Sequence, residues 1–190
     1  MISGPELWRL KLTVRVLRNG GVIACPTEGV WGLSCIPNDE AAVFRILELK
    51  QRSWKQGLIL AASHIDQFAP WLAGLDDEQI AALNETWPGP VTWLVPEIRQ
   101  TPWWITGESD KVALRVSDHP VITAICDALG GPIVSTSANP AGKPAARSSL
   151  RVRQYFPQGI DYLVPGQLGG RQGASEIRDL TTGKVIRTAS

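Results

Sequence analysis

Short apolar runs alternate with segments of helical periodicity along the chain, and this alternation constrains the fold more than any other feature. The run 22–25, closed by Pro26, is typical of a buried strand, and apolar residues recur at helical spacing over 7–17 before it. Further strands are predicted at 57–61, 91–95, 112–116, 133–134, 162–164, 177–180 and 184–187, and further helices at 39–50, 65–72, 76–87, 121–129 and 148–156. Strands interleaved with helices predict an α/β domain.

The length and composition favour one folded domain. The chain has 190 residues, of which 44% are hydrophobic and 19% charged, which suits a single large core and differs from the composition of disordered chains. No internal repeat or low-complexity linker divides it, so we expect residues 5–190 to form a single domain. The net charge of +1 excludes a strong overall positive field, so any surface for nucleic acid has to be local.

The cysteines and the N-terminal segment predict a cytoplasmic protein. Cys25, Cys35 and Cys126 form no Cys-x-x-Cys pair, and only two histidines accompany them, which argues against a zinc site and against a disulfide framework. Residues 1–18 carry charges among their apolar residues. We therefore expect neither a signal peptide nor a membrane span there.

Three familiar catalytic motifs are absent from the sequence. There is no Gly-x-x-x-x-Gly-Lys-Ser/Thr loop and no Gly-x-Gly-x-x-Gly after a strand, so the two commonest nucleotide-binding loops are missing. A Gly-x-Ser-x-Gly elbow is missing too, and two histidines leave few options for a hydrolytic triad. A nucleotide, if one binds, has to be held in another way.

The first positive signal is a basic cluster of Lys50, Arg52 and Lys55 at the end of a predicted helix. One interpretation is structural, because cations at a helix C-terminus stabilise it by roughly a few tenths of a kcal/mol. The other interpretation is phosphate binding, because a lysine supplies a point charge and an arginine supplies a planar fork for bidentate hydrogen bonds. The pattern alone leaves both open.

A second signal is the polar segment 135–139, which contains Ser135, Ser137 and Asn139 and follows an apolar strand. We expect it to be a loop. Ligands of open α/β sheets bind at strand ends, so these side chains are candidates for a ligand site. An ordinary turn or a helix cap is the alternative, and composition does not decide between them.

Loops and strand ends elsewhere carry further candidates. Thr27 and Glu28 follow the first strand, and Arg115 lies near the end of another. A buried arginine needs a carboxylate or a phosphate beside it, so we expect Arg115 to pair with Asp118, with another acid or with a ligand. His119 is interpreted as a helix-start residue rather than a base.

Taken in order, these segments resemble the YrdC family of short bacterial threonylcarbamoyl-AMP synthases. The motifs that carry the resemblance are Pro26-Thr27-Glu28 with Trp31-Gly32-Leu33, Lys50-Gln51-Arg52, Trp87-Pro88-Gly89-Pro90-Val91-Thr92, Arg115-Val116 with Asp118-His119-Pro120, segment 135–139, and Ser175-Glu176-Ile177-Arg178-Asp179. Each motif is weak alone. The ordered set covers nearly the entire chain, from the first helix to Arg187, and is highly specific.

The resemblance implies a twisted mixed α/β sheet with flanking helices and a large, locally basic concave cavity. It also implies a reaction in which L-threonine and bicarbonate form N-carboxy-threonine, whose carboxylate attacks the α-phosphate of ATP and releases diphosphate. The product would serve threonylcarbamoyl modification of the adenosine next to the anticodon, in tRNAs that read codons beginning with A. The carbamate is already an anion, so no acid or base residue is assigned.

The resemblance also implies a set of ligand contacts. The threonine part would contact Thr27, Arg115, Ser135 and Ser175, and ATP would contact Lys50, Arg52, Ser137, Asn139 and Arg187. No protein side chain is assigned to a metal, because Mg²⁺ would be carried by the ATP phosphates. The resemblance implies proteins that transfer the threonylcarbamoyl group to tRNA as partners, and it implies no association with a membrane.

Two departures and two alternatives accompany this resemblance. Trp31 stands where the family usually has tyrosine or phenylalanine, Ser53 stands where proline is common, and closure of the cavity is expected from the loop 165–173. One alternative is a paralogous carbamoyl-transfer enzyme that uses another amine or another acceptor. The other is an RNA-binding or ribosome-maturation factor that uses the concave face, and its basic edge would be Lys143, Arg147, Arg151 and Arg153. Weak binding of tRNA at the basic concave face of the synthase is also open.

Overall fold

Helices and strands alternate along the chain as the sequence predicts. The computed structural model describes residues 4–98, 101–171 and 173–188. In these ranges the helices are α1 (Gly4–Arg18), α2 (Glu40–Lys50), α3 (Ala69–Leu72), α4 (Asp77–Thr86), α5 (Trp103–Thr106), α6 (Pro120–Leu129) and α7 (Ser149–Tyr155), with 3₁₀ turns at Trp54–Gln56 and Ile65–Phe68. The strands are β1 (Ile23–Pro26), β2 (Trp31–Ser34), β3 (Ile59–Ala62), β4 (Val91–Pro96), β5 (Lys111–Val116), β6 (Ile133–Ser137), β7 (Tyr162–Leu163), β8 (Glu176–Asp179) and β9 (Val185–Arg187). No helix among the described residues has the length and hydropathy that a membrane span requires.

The nine described strands form one mixed sheet in the order β7-β1-β2-β6-β3-β5-β4-β8-β9. The pairs β1/β7, β3/β5 and β4/β8 are parallel, and the remaining neighbours are antiparallel. This confirms the expected mixed α/β sheet. The order also brings β6, β3 and β5, which are distant along the chain, side by side at the centre.

Several elements differ from the prediction. The alternation pattern gives no signal for β2, whose four residues Trp31–Ser34 include a glycine and a serine, yet all four are buried between β1 and β6. The segment 135–139 was expected to be a loop, but it continues as strand to Ser137 because it pairs with β2 on one side and with β3 on the other. The helix expected over 65–72 is a 3₁₀ turn followed by α3, and the single-turn helix α5 has no predicted counterpart.

Side chains alternate across the sheet and build two cores. Leu60 and Ala62 of β3 belong to the larger core, whereas Ala61 between them belongs to the second core, together with Ile125 and Ile133. Successive strand residues point to opposite faces, so the two cores lie on opposite faces of the sheet. On the second face, α6 packs against β3 and β1, and α1 packs against α6.

Two capped helix ends fix the segments that lead into the site. Asp39 begins α2 by accepting a hydrogen bond from Ala42 N at 3.0 Å, and Gln51 ends it in the left-handed conformation with φ 52°. His119 begins α6, where its Nδ1 accepts from Val121 N at 3.3 Å. The interpretation of His119 as a helix-start residue is therefore confirmed.

The three cysteines are free thiols and are buried. Burial raises the pKa of Cys25 and that of Cys126 to about 12, so both stay protonated at neutral pH. They pack as small hydrophobic residues, which is how the sequence analysis treats them.

Candidate active site

A cavity of about 520 Å³ opens on the same face of the sheet as the second core. Strand register sets its floor: Ser135 pairs with Ile59, Ile59 pairs with Ala113, and all three line the cavity. Arg115 lies two residues further along β5 and therefore on the same face. The walls are formed by residues 27–30, by Arg52 and residues 56–58, by Ile105, Thr106 and Ser109, and by Arg171 and residues 173–175. The large concave cavity expected from the resemblance is thus present.

The cavity concentrates positive charge. Among the described lining residues the cations are Arg52, Lys111, Arg115, Arg171 and Arg187, and the one carboxylate is that of Glu28. The whole chain carries a net charge of only +1, so the local excess is specific to this cavity. Such a cleft attracts anions and raises their local concentration.

Arg115 and Glu28 form a buried ion pair at the floor. Arg115 Nη2 donates to Glu28 Oε2 at 2.8 Å, and Ser117 Oγ donates to Glu28 Oε1 at 2.5 Å. Burial alone would raise the pKa of Glu28, but the Arg115 charge and the Ser117 hydroxyl hold it below its usual value, so Glu28 is ionised. Of the three partners expected for Arg115, the structure shows another acid. Asp118 pairs instead with Arg171 at 2.5 Å.

Arg52 and Arg187 bring two more guanidinium groups close to this pair. Arg52 Nη2 donates to Gly57 O at 3.1 Å, and Arg187 Nη2 donates to Ser175 O at 2.7 Å. Burial lowers the pKa of both groups, and the charges of Arg52 and Arg115 lower the pKa of Arg187 further. Arg187 therefore lies within the electrostatic field of Arg52 and of Arg115, which come from distant segments. Bound anions would relieve this repulsion.

Lys50 and Asn139 lie behind the cavity wall rather than among its lining residues. The Lys50 ammonium donates to the carbonyl oxygens of Ser137 and of Asn139, the latter at 3.1 Å, and Lys50 O accepts from Ala141 N at 2.7 Å. Burial and the nearby Arg52 charge lower the pKa of Lys50 to about 8. Lys50 thus holds the segment that follows β6.

The residues predicted to supply hydroxyl groups line the cavity, namely Thr27, Ser135, Ser137 and Ser175. Thr27 Oγ1 donates to Val30 O at 2.7 Å, and Ser175 Oγ is hydrogen-bonded to Thr92 Oγ1 at 2.9 Å. Seven of the nine side chains predicted to bind substrates therefore share one cavity. Their contacts with ligands stay predictions.

The predicted set omitted Glu28, Lys111 and Arg171. Lys111 Nζ lies 2.5 Å from Asp179 Oδ2. Burial alone would raise the pKa of Asp179, but hydrogen bonds from Lys111 and from backbone amides keep it low. Lys111 is four residues before Arg115 on β5, and the two-residue period of a strand places both side chains on one face. This period would have predicted Lys111 as a lining residue. Arg171 lies in an irregular segment, where the sequence has no periodicity from which its position could be predicted.

The loop 165–173 is attached to the wall formed by residues 27–29. Arg171 N donates to Glu28 O at 2.9 Å. Gly29 lies so close to Gly173 that a Cβ added at Gly29 would lie 2.2 Å from Gly173 O. The loop expected to close the cavity therefore packs along its side.

Comparison with known proteins places the chain in a family. A sequence model of the Sua5/YciO/YrdC family, described as "Telomere recombination", matches residues 15–189. The chain belongs to this family. Two family relatives named threonylcarbamoyl-AMP synthase are close in sequence: that of Stutzerimonas stutzeri (strain A1501) is 57% identical over 182 residues, 96% of this chain and 98% of the relative. That of Pseudomonas paraeruginosa (strain DSM 24068 / PA7) is 54% identical over the same shares of both chains.

Solved structures of the Sua5/YciO/YrdC family have the same fold. The crystal structure of P. abyssi Sua5 complexed with L-threonine matches with a TM-score of 0.86 and 31% identity, over 94% of this chain and 52% of that chain. This family member therefore spans about half of P. abyssi Sua5. E. coli YciO matches with a TM-score of 0.84 over 95% of this chain and 88% of that chain, and its 23% identity supports the fold alone.

Proposed function

We propose that this family member is an L-threonylcarbamoyladenylate synthase. It condenses L-threonine, bicarbonate and ATP to threonylcarbamoyl-AMP and diphosphate, which makes it a nucleotidyltransferase. The product serves threonylcarbamoyl modification of adenosine next to the anticodon, in tRNAs that read codons beginning with A. The identity to relatives of that name over nearly the full chain supports this, as does the likeness to a Sua5 structure with L-threonine.

The convergence of Arg52, Arg115 and Arg187 in one cavity is the observation that carries the proposal. The reacting groups, a carbamate and the α-phosphate of ATP, are both anionic. Two unit charges at about 4 Å repel by about 4 kcal/mol at the effective dielectric of a protein surface. Guanidinium groups on several sides offset this repulsion and orient both reactants. A carbamate oxygen is already a nucleophile, so the attack on phosphorus needs no strong base.

The cavity divides into two proposed subsites along the sheet. The threonine subsite comprises Thr27, Arg115, Ser135 and Ser175, and the ATP subsite comprises Arg52, Ser137 and Arg187. We propose that Lys50 and Asn139 support the ATP subsite through the segment that follows β6, because the Lys50 ammonium bonds to the carbonyl oxygens of Ser137 and Asn139. The hydrogen bond from Arg187 to Ser175 O joins the two subsites.

Mg²⁺ fits this cavity as a companion of ATP rather than as a resident ion. Glu28 supplies the one carboxylate among the described lining residues, and Arg115 and Ser117 already bond to it. The described residues contain no group of three or more His, Cys, Asp or Glu side chains that would hold a metal. Phosphate and water oxygens suit Mg²⁺, which would shield charge on the diphosphate.

We further propose that residues 5–190 act as one domain in the cytoplasm and pass their product to a threonylcarbamoyl-transfer protein. Residues 99–100, 172 and 189–190 of this range lie outside the described residues. Buried free thiols suit a reducing compartment. The product is a mixed carbamic–phosphoric anhydride that water hydrolyses, which favours direct transfer to an acceptor.

The decisive experiment is incubation of the pure protein with ATP, L-threonine and bicarbonate, following diphosphate release and detecting the adenylate by mass spectrometry. Omission of threonine or of bicarbonate should stop the release. Arg115→Met should lower kcat/KM for threonine at least about tenfold, a loss of about 1.4 kcal/mol or more. Lys55→Met is the matched control, because Lys55 is an exposed cation paired with Glu108 outside the cavity. A folded wild-type protein that forms no adenylate would refute the proposal.

Direct tRNA binding is a weaker proposal and has its own test. The basic edge Lys143, Arg147, Arg151 and Arg153 is exposed. Binding through phosphates should weaken steeply with salt, and substitution of these four side chains by glutamine should reduce that slope. A salt-independent signal would argue against contact through this edge.

A further inference from the structure

The proposed reaction assigns no substrate contact to Glu28, yet a buried carboxylate is unusual in a cavity lined by cations. It is the one carboxylate among the described residues that line the cavity, and it is only 4% exposed. Removing a charged group from water is costly unless partners compensate for it. If the only task here were to bind anions, an acid at the floor would weaken it.

The Glu28 carboxylate is rigidly held and retains capacity to accept hydrogen bonds. One of its oxygens accepts from Arg115 Nη2 at 2.8 Å and the other accepts from Ser117 Oγ at 2.5 Å. Ser117 Oγ in turn accepts from His119 N at 3.2 Å, and the backbone carbonyl of Glu28 accepts from Arg171 N at 2.9 Å. An ionised carboxylate offers about four lone-pair sites, and the Glu28 backbone N–H takes up a third, so about one remains for a ligand.

We propose that Glu28 binds the ammonium group of the amino acid substrate, so that Glu28 and Arg115 together recognise its zwitterion. This inference rests on the proposed function. Arg115 donates to Glu28 through Nη2, so among the described residues the N–H groups of its Nη1 remain for the substrate carboxylate. An α-amino acid separates its ammonium and carboxylate by one carbon. A carboxylate and a guanidinium in direct contact present the complementary charges at a similar spacing.

The reaction would then reverse the charge beside Glu28. Carbamate formation joins the amine nitrogen to the carbon of bicarbonate and breaks the C–OH bond. The leaving hydroxide takes one ammonium proton to become water, and a second proton passes to solvent. The cation that Glu28 attracts has become an anion that Glu28 repels. This repulsion favours displacement of the carbamate towards Arg52 and Arg187, where the α-phosphate of ATP is proposed to lie.

Two ligands that differ only in the ammonium group test the assignment. L-Threonine carries it, and (R)-3-hydroxybutanoate has the same carboxylate and hydroxyl groups without it. We expect Glu28→Gln to weaken L-threonine binding at least about tenfold in calorimetry, and to change (R)-3-hydroxybutanoate binding less than about threefold. Arg115→Met should weaken both ligands. Glu108→Gln, which removes an exposed carboxylate outside the cavity, should change neither.

The outcomes separate this inference from the proposed function. Equal weakening of both ligands by Glu28→Gln would mean that Glu28 only positions Arg115, and no weakening would remove it from the subsite; either result overturns the inference while leaving the synthase intact. A wild-type protein that binds (R)-3-hydroxybutanoate as tightly as L-threonine would overturn it too, even if the Glu28 variant failed to fold. A wild-type protein that forms adenylate from other substrates but never from threonine would refute the proposed function instead.

Discussion

Substitution of Lys50 by methionine should change how the stability of the protein depends on pH. Lys50 is 4% exposed, and burial together with the Arg52 charge lowers the pKa of its ammonium from 10.5 to about 8. In the unfolded chain the same group has a pKa of about 10.4. Between these values the unfolded chain binds the proton and the folded chain does not. The contribution of Lys50 to the free energy of unfolding therefore rises with pH across this window and is lost as pH falls through 8.

The magnitude follows from the two pKa values. A lowering from 10.5 to about 8, at about 1.4 kcal/mol for each pH unit, corresponds to about 3 kcal/mol. Methionine also loses the hydrogen bonds to the carbonyl oxygens of Ser137 and Asn139, which shifts the stability of the variant at every pH. The pH-dependent part of the difference isolates the ammonium.

The assay is urea unfolding of the wild type and of Lys50→Met at several pH values from about 7 to 10.5. The difference in unfolding free energy, wild type minus variant, should grow by about 2–3 kcal/mol over that range. Other lysines titrate in both proteins and cancel, and Lys55→Met, at an exposed ion pair, should show no such growth. Parallel pH curves for wild type and Lys50→Met would show that the two carbonyl bonds compensate for burial, and the reasoning would be wrong.

Three further substitutions have distinct expected effects. Arg52→Met should weaken ATP binding at least about tenfold in equilibrium dialysis while threonine binding changes less than about threefold; equal loss of both would place Arg52 outside a separate ATP subsite. Gly29→Ala should lower stability by on the order of 1–3 kcal/mol in thermal unfolding, because the added methyl group would lie 2.2 Å from Gly173 O, and an unchanged melting temperature would contradict that contact. Arg171→Gln should change the unfolding free energy by less than about 1 kcal/mol, because the Arg171 and Asp118 side chains are each 38% exposed; a larger loss in urea unfolding would mean that the pair holds its loop.

The local hydrophobic pattern predicted an element correctly where burial of one of its faces determines its structure. The amphipathic helices and the apolar strands were predictable because burial imposes a period of 3.6 or of 2 on the sequence. It failed for β2 and for Ser135–Ser137, whose strand conformation depends on pairing with each other and with β3. Strand pairing between distant segments leaves no periodic mark on residues that are small or polar.

The order of the motifs predicts residues that share one cavity, whereas the chemistry of each motif alone does not. Lys50 and Arg52 stand two residues apart, and the sequence pattern left both a helix cap and a phosphate site open for them. The structure turns the Lys50 ammonium towards two backbone carbonyls and sets Arg52 in the cavity wall. The pairing of Arg115 with Glu28, 87 residues apart, is fixed by the sheet and by no local pattern.

The cavity depends on strands that are far apart along the chain. Thr27 comes from the first quarter of the sequence and Arg187 from its last described strand, yet both line the same cavity. In the sheet, β9 lies at the edge opposite β7. A nascent polypeptide that has reached β7 would hold neither Ser175 nor Arg187, although most of the sheet could already have formed. Under the proposed function, ATP use would therefore require synthesis of β8 and β9, and translation products truncated before β8 would be inactive.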